Sequence, residues 1–256
     1  MQQEKERSAI KKGHYPEPGI SLVLACYNEA EIFKDSSKKI EEFMESQGYS
    51  YELVFVEDKS VDNTVELIRE FASNHKKVKT IFHEHNMGRG RTVADGIRAA
   101  KGEIVGFIDI DLEVPISQIA PLVNEIRGGA DAAIGKRVYF TGIRTIHRHI
   151  LSRAYSLLSR VMLNHDFSDT EAGCKFFKRE KILSFLSQIK ENHWFWDTEI
   201  VLRPYFAGLK VKEVPVLFIK NRNASSTVKI FSDAAYYLKM LWKYAPEFQE
   251  LSRKML

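Results

Sequence analysis

Short apolar runs alternate with amphipathic stretches along the first hundred residues of the chain. Runs rich in β-branched and aromatic residues predict buried strands at 20–26, 51–56, 78–82 and 103–108. Apolar positions spaced three and four residues apart predict helices between them at 31–47, 65–73 and 88–100. Strands that alternate with helices form right-handed βαβ units. The pattern therefore predicts an α/β fold with a mostly parallel sheet and helices on both faces.

The two ends of the chain differ from this central region. Residues 1–19 are charged and lack an apolar core, so we expect a flexible N-terminal arm rather than a secretory signal. The longest uncharged stretch, 114–124, contains two prolines and is shorter than the ~20 residues of a membrane-spanning helix. We expect one main domain at 20–229, followed by an amphipathic helix at 230–256.

The last predicted helix has an unusually wide apolar face. Ile230, Ala234, Leu238, Leu241, Trp242 and Ala245 follow helical spacing, and several tyrosines extend the face. Lys239 and Lys243 could reach lipid headgroups. The face fits three partners: the protein's own sheet, a membrane surface, or a small membrane subunit.

Composition and charge narrow the class of protein. The 256 residues are 44% hydrophobic and 28% charged with a net charge of +4, which is typical of a globular protein and excludes disorder or a coiled coil. So small a net charge, without a known binding module, argues against nucleic acid. Two cysteines are too few for a disulfide framework, which favours a reducing compartment.

One long segment carries charge of a single sign. Residues 136–160 contain six Lys or Arg, two His and no acidic residue. Such a segment is suited to phosphate groups or to an anionic membrane surface.

Polar side chains follow all four predicted strands, and Asp109, Asp111 and Glu113 follow the fourth at alternate positions. In open α/β sheets, ligands bind outside the carboxyl ends of the strands, so these residues should meet in one acidic crevice. Oxygen ligands of this kind suit Mg²⁺ or Mn²⁺ that shares a diphosphate with the protein. A solvated loop is the alternative, but the position at a strand end favours a metal site.

Other candidate sites are weaker. The helix start Gly88-Arg89-Gly90-Arg91 offers backbone N–H groups and two cations to an anion, although it matches no known phosphate motif. The histidines lack metal-ligand spacing. Asp197 and Glu199 are candidate general bases if the acceptor is a sugar hydroxyl, whereas Glu199 could instead pair with Arg203 one helical turn later.

Several motifs together resemble glycosyltransferase family two, whose members have the GT-A fold. They are Tyr27-Asn28-Glu29, Asp58-x-Ser60-x-Asp62-x-Thr64, Asn86-x-Gly88-x-Gly90 and Asp109-x-Asp111, and the resemblance covers residues 20–230. Within the family, the chain is most similar to polyprenyl (dolichyl) phosphate mannose synthases. The supporting motifs are Leu112-Glu113-x-Pro115, Gly135-Lys136-Arg137, Gly173-Cys174-Lys175-x-Phe177-x-Arg179 and Glu213-Val214-Pro215-Val216.

The resemblance implies a role for individual residues of this chain. Ala25, Tyr27, Glu29, Val56, Asp58, Asp109, Ile110, Arg222 and Lys229 would bind the nucleotide-sugar donor. Asp109, Asp111 and Glu113 would hold the metal and diphosphate. Arg137, Arg148 and Ser152 would bind the acceptor phosphate, and Asp111 and Arg137 would be catalytic.

The implied reaction is metal-dependent, inverting transfer of a hexose from GDP-mannose or UDP-glucose to a polyprenyl phosphate. A lipid phosphate is already an anion and needs no general base, and arginine suits bidentate phosphate contacts. We therefore expect a peripheral protein on the cytoplasmic face of a membrane. Transfer to a hydroxyl of a glycan, and a non-catalytic scaffold that binds a sugar nucleotide, are the alternatives.

Overall fold

The computed structural model describes residues 18–139, 146–219 and 230–255, with side chains from 154 onward in the second range and from 235 onward in the third. The predicted arm at 1–19 lies almost entirely outside these residues. Where the described chain begins, Ile20 enters the first strand and its N–H donates to the carbonyl of Ser50 at 3.0 Å.

A seven-stranded sheet forms the centre of the described chain. Its strands are β1 (Ile20–Cys26), β2 (Tyr51–Glu57), β3 (Val78–Phe82), β4 (Ile104–Ile108), β5 (Ala132–Tyr139), β6 (Cys174–Lys178) and β7 (Val211–Phe218). Their spatial order is β3-β2-β1-β4-β6-β5-β7, and only β6 runs antiparallel to its neighbours. The predicted α/β fold with a mostly parallel sheet is confirmed, and the first four strands lie within one residue of their predicted bounds.

Helices cover both faces of the sheet, as predicted. They are α1 (Phe33–Ser46), α2 (Thr64–Asn74), α3 (Arg89–Ala99), α4 (Ile119–Arg127), α5 (Ile146–Leu163), α6 (Arg179–Leu183), α7 (Trp196–Phe206) and α8 (Ile230–Met255). Alternate residues of β1 point to opposite faces: Val23 packs with the core under α3 and α7, and Leu22 packs with the core under α1 and α4. A Cβ at Gly96 of α3 would lie 2.3 Å from Val23 Cγ1, so glycine permits this close helix–sheet contact.

The C-terminal helix α8 packs against α5 and α7. Leu241, Tyr244 and Phe248 are buried, and the Tyr244 ring stacks on Phe195 with centroids 5.2 Å apart. The predicted apolar face was therefore partly wrong, because Leu238 and Trp242 point outward with 44% and 74% of their surface exposed. Packing against α5 and α7 selects the side of the helix that carries Tyr244 and Phe248 for the core.

Candidate functional site

The crevice lies at the carboxyl ends of β1, β2 and β4. β1 pairs with β2 on one side and with β4 on the other, and both pairings are parallel. The polar segments after these strands therefore emerge at the same edge of the sheet, where the chain order changes direction. Such a switch point is where open α/β sheets bind ligands.

The loop after β4 holds two carboxylates in a tight turn. Asp111 Oδ1 accepts from the backbone N–H of Glu113 at 3.0 Å, and Leu112 takes a left-handed backbone conformation with φ of 53°. Asp109 rests against Gly173, where an added Cβ would lie 1.7 Å from Asp109 Oδ2. Only glycine at 173 leaves room for this carboxylate.

Three carboxylates concentrate negative charge in the crevice. Burial, together with the charges of Asp111 and Asp109, raises the pKa of Glu29 to about 8. Burial and the charge of Asp109 likewise raise the pKa of Asp111 to about 7. A carboxylate whose pKa rises in this way favours a proton or another cation beside it.

The donor set fits a hard divalent cation that also binds phosphate. Asp109 and Asp111 supply oxygen ligands, and Mg²⁺ sites commonly use one or two carboxylates completed by substrate phosphates and water. Within residues 18–139, 146–219 and 230–255, no three His, Cys, Asp or Glu residues form a group able to hold the ion unaided. The role of Glu113 as a third ligand stays a prediction.

Arg89 binds the first of these carboxylates. Its Nε and Nη2 both donate to Asp109 Oδ1, at 3.0 and 2.6 Å, and its Nη1 donates to Asp197. Asp197 also accepts from the fully buried Lys175 at 2.6 Å. The charges Asp109, Arg89, Asp197 and Lys175 thus alternate from the crevice into the core, and each compensates its neighbour.

Asp58, a predicted donor-binding residue, is buried and holds the loop that leads into α3. Its Oδ1 contacts His83 Nδ1 at 2.8 Å and accepts from the N–H of Met87 at 2.7 Å, and its Oδ2 accepts from the N–H of Gly88 at 2.9 Å. The anion at this helix start is therefore a carboxylate of the protein itself, whereas the sequence indicated a ligand. The N–H groups of Met87 and Gly88 are thus already hydrogen-bonded before any ligand binds.

The turn after β1 presents the other predicted donor-binding residues. Asn28 has a φ of 57°, donates its N–H to Ser60 Oγ and accepts from the N–H of Val61. Thr64 Oγ1 accepts from the N–H of Glu29 at 2.8 Å. These bonds join the ends of β1 and β2 and leave 45% of the Tyr27 surface exposed beside the crevice.

Three more of the predicted donor residues are largely buried. Val56 and Ile110 are buried, and Ala25 is half-buried near the end of β1. Arg222 and Lys229, the predicted late basic pair, lie outside the described residues.

Arg137 extends the site on the β5 side. Its Nε and Nη2 donate to the two carboxylate oxygens of Asp169 at 2.7 and 2.9 Å, and its backbone N–H donates to the same group at 3.1 Å. This bidentate pair fixes the guanidinium, which is half-buried, near Tyr139 and Phe218. Arg148 and Ser152 lie in the first turns of α5, where side chains are outside the described part.

The two candidate general bases are engaged in ion pairs. Glu199 is fully buried and bonds Arg203 at 2.8 Å, as the structural alternative predicted. Asp197 is held between Lys175 and Arg89. Both carboxylates are therefore held in ion pairs inside the protein.

Sequence reasoning missed the residues that orient the predicted ones. His83 was set aside because it lacks ligand spacing, yet it contacts the carboxylate of Asp58. Asp169 stands in no motif, and Lys175 was named only as part of a family motif. Their ion pairs could not be predicted, because their partners Arg137 and Asp197 lie 32 and 22 residues away in sequence.

The strand order of the sheet and the acidic crevice at its switch point are those of a GT-A glycosyltransferase. The model of the family described as "Glycosyl transferase family 2" matches residues 21–184. The chain belongs to glycosyl transferase family 2, which confirms the resemblance found in its sequence.

Several curated proteins are similar to the chain in sequence. Glycosyltransferase AglD of Haloferax volcanii is 33% identical over 77% of this chain and 32% of its own length. A dolichyl-phosphate beta-glucosyltransferase of Trichomonas vaginalis is 25% identical over 78% of this chain and 66% of its own. The dolichol-phosphate mannosyltransferase of Pyrococcus furiosus is 29% identical over 82% and 59%. The chain thus spans about one third to two thirds of the length of these relatives.

Solved structures share the fold at lower identity. A mannosyltransferase of Pyrobaculum calidifontis, in complex with GDP-Man and Mn²⁺, superposes with a TM-score of 0.60 at 16% identity over 99% of this chain and 81% of its own. Glucosyl-3-phosphoglycerate synthase of Mycobacterium tuberculosis, with Mn²⁺, UDP-glucose and phosphoglyceric acid, gives 0.67 at 20% identity over 94% and 83%. These matches confirm the predicted GT-A fold.

Proposed function

We propose that the protein catalyses metal-dependent, inverting transfer of a hexose from a nucleotide sugar to a polyprenyl (dolichyl-type) phosphate. The observation that carries the proposal is the position of Asp109 and Asp111 at the switch point of a family 2 fold, with the anchored Arg137 on β5, two strands from β4 in the sheet. The names of the relatives from Trichomonas vaginalis and Pyrococcus furiosus support a lipid phosphate as acceptor and leave glucose and mannose both open.

In this proposal, the acidic crevice binds the metal that stabilises the diphosphate leaving group. Transfer breaks the bond between the anomeric carbon and the nucleoside diphosphate, so negative charge grows on the diphosphate. Mg²⁺ or Mn²⁺, held by Asp109 and Asp111, would supply the positive charge that the diphosphate requires. Tyr27 and Glu29 would contact the nucleotide, and Asp58 with Val56 would lie beside the base.

The side of the site that carries Arg137 binds the acceptor phosphate in this proposal. An oxygen of the lipid phosphate forms the new bond to the anomeric carbon from the face opposite the leaving group. That oxygen carries charge near neutral pH, so no side chain needs to remove a proton, and the ion pairs of Asp197 and Glu199 are consistent with this. Arg137, together with Arg148 and Ser152, would bring the second anion close to the first.

We propose further that the chain works at a membrane surface as a peripheral protein on the cytoplasmic face. In the described part of the chain, no helix is long and apolar enough to cross a bilayer. The exposed Leu238 and Trp242 of α8, with Lys239 and Lys243 beside them, would contact lipid. A small membrane subunit that binds the same face stays the alternative.

A donor panel tests the proposed activity. The purified chain is incubated with polyprenyl phosphate and each of GDP-mannose, UDP-glucose and related sugar nucleotides, with Mn²⁺ or with EDTA. We expect an organic-extractable sugar product from one donor, formed only with the metal. Nucleotide-sugar binding without turnover of any donor would instead support a non-catalytic scaffold.

A further inference from the structure

The loop at 169–173, between α5 and β6, contacts both Arg137 and Asp109. Asp169 at its start binds Arg137, and Gly173 at its end makes room for Asp109 and accepts from the Asp109 N–H at 3.1 Å. The carbonyl of Ala172 accepts from Lys175 Nζ at 2.6 Å. Glu171, at the centre of the loop, is a buried acid that has no role in the proposed chemistry.

Hydroxyl groups from three helices contact the carboxyl group of Glu171. Tyr155 of α5 donates to its Oε1 at 3.2 Å, and Thr198 of α7 donates to the same oxygen at 2.9 Å. The hydroxyl of Tyr237 in α8 interacts electrostatically with this carboxyl group as well. The rings of Tyr155 and Tyr237 pack together with centroids 4.8 Å apart, so the two helices meet at this one acid.

The neighbouring threonine strengthens the junction. Thr170 Oγ1 lies 2.9 Å from Thr198 Oγ1, which joins the loop to α7 a second time. The same α7 turn carries Asp197, and Asp197 reaches Arg89 and Lys175. Displacement of Glu171 would therefore loosen the packing of α5 and α8, and through Thr198 it would also disturb Asp197 and its ion pairs with Arg89 and Lys175.

We propose that Glu171 is a positioning residue that holds α5, which carries the predicted acceptor residues Arg148 and Ser152, and the C-terminal helix α8 against the crevice. The link to the acceptor rests on the proposed function. It makes acceptor binding depend on α8. The hydrogen bonds that Tyr155 and Thr198 donate to the Glu171 carboxyl group, and the contact between the Tyr155 and Tyr237 rings, are the physical basis.

The charge of Glu171 is sensitive to pH in the neutral range. Removal of the carboxyl group from water raises its pKa, and the charge of Asp197 adds to the rise. The bonds from Tyr237 and Thr198 and the charge of Arg137 oppose it, and the resulting pKa is about 7. Tyr155 faces it from α5, its own loop also carries the charge of Asp169, and β6 carries that of Lys175.

The sign of the pH effect on stability follows from this raised pKa. The folded state binds the Glu171 proton more tightly than the unfolded state does, so its contribution to stability is complete below about pH 4.5. It is lost as the pH rises through about 7. The neutral Glu171→Gln variant, which retains an acceptor oxygen, should therefore gain melting temperature relative to the wild type between pH 5 and pH 8.

The kinetics of sugar transfer distinguish a positioning role of Glu171 from a general contribution to stability. Tyr237→Phe removes one hydroxyl from Glu171, and Tyr236→Phe is its matched control, because the Tyr236 hydroxyl bonds Glu191 instead. We expect Tyr237→Phe to raise the KM for polyprenyl phosphate about ten-fold, while kcat and the donor KM change less than two-fold and Tyr236→Phe behaves as wild type. Equal changes in the donor and acceptor KM values, or equal effects of the two variants, would overturn the positioning role.

A double-mutant cycle in urea unfolding tests the junction without any transfer assay. Tyr155→Phe and Tyr237→Phe share Glu171, so their destabilisations should not add, whereas Tyr155→Phe and Tyr236→Phe should add. Additivity of the first pair would refute the shared junction. If the wild type transfers no sugar to a lipid phosphate, the proposed function fails, yet the cycle and the pH dependence of Glu171→Gln still decide the role of Glu171.

Discussion

Arg89 and Asp109 form an ion pair in which two guanidinium nitrogens, Nε and Nη2, donate to the same carboxylate oxygen at 3.0 and 2.6 Å. The pair leaves the other oxygen of Asp109 against Gly173. It therefore fixes the orientation of the first acidic residue of the crevice before any ligand binds. A preorganised group of this kind need not be reordered during the reaction.

Loss of Arg89 should cost both stability and function. In Arg89→Met, the nearly buried Asp197 loses one of its two cations, and we expect a destabilisation of about 3 kcal/mol in urea unfolding. Arg91→Met is the control, because Arg91 pairs with Asp95 on the surface and such pairs contribute roughly 0–1 kcal/mol. Equal destabilisation by both variants would contradict the special role of Arg89.

Gly173→Ala should displace Asp109. The new methyl group would overlap the carboxylate, at 1.7 Å from Oδ2 and 2.5 Å from Cγ. We expect Mn²⁺ binding, measured by calorimetry in the presence of the nucleotide, to weaken at least about ten-fold, or about 1.4 kcal/mol. Gly19→Ala is the control, since its Cβ would meet only the Ser50 carbonyl at 3.4 Å. Unchanged Mn²⁺ affinity in Gly173→Ala would show that the position of Asp109 is unimportant.

Asp131 should make stability depend on acid pH. Burial alone would raise its pKa, but bonds from Lys181, the Lys210 N–H and Lys178 lower it to about 2. Its stabilising contribution is complete above the unfolded pKa of about 4 and is lost as the pH falls toward 2. We expect Asp131→Asn to lower the melting temperature at pH 7 and to have no effect near pH 2.

The matched surface variant for this test is Asp35→Asn, since Asp35 is exposed and pairs with Lys39 one helical turn away. Its melting temperature should stay close to that of the wild type at both pH values. An equal loss in both variants at pH 7 would contradict the account of Asp131.

The exposed side of α8 should bind membranes without contributing to the core. Leu238→Ser combined with Trp242→Ser should reduce co-sedimentation with anionic vesicles and leave the melting temperature unchanged, because both side chains are exposed. Phe248→Ser is the contrasting variant, since Phe248 is fully buried and its loss should cost about 3 kcal/mol or more. Unchanged vesicle binding in the double variant would place the membrane contact elsewhere.

The first four strands and the helices between them could be predicted from the sequence, because each depends on local periodicity, and the acidic segment after β4 is visible as a motif. The antiparallel β6 could not, since its pairing with β4 is set by residues 70 positions away in the chain. The same limit applies to the site. Asp109 and Arg137 carry visible motifs, whereas Asp169 and Glu171 acquire their roles only when the loop at 169–173 folds against the crevice.

The orientation of the C-terminal helix could not be predicted from the sequence either. Its apolar positions cover so much of the surface that several rotations about the helix axis satisfy the pattern. The choice that buries Tyr244 and leaves Trp242 in solvent comes from the shape of α5 and α7, which the pattern does not contain.

The most direct test of the account is a comparison of two acceptors that differ only in the phosphate. The purified chain is given its preferred nucleotide sugar, Mn²⁺ and either polyprenyl phosphate or the matching polyprenol, and the lipid-linked sugar is measured. We predict product with polyprenyl phosphate only, and at least about a hundred-fold less with Asp111→Asn, which loses a charged ligand at a cost of roughly 2.7 kcal/mol or more. Product with polyprenol, or undiminished product with Asp111→Asn, would contradict the proposed transfer to a lipid phosphate in a metal-dependent crevice.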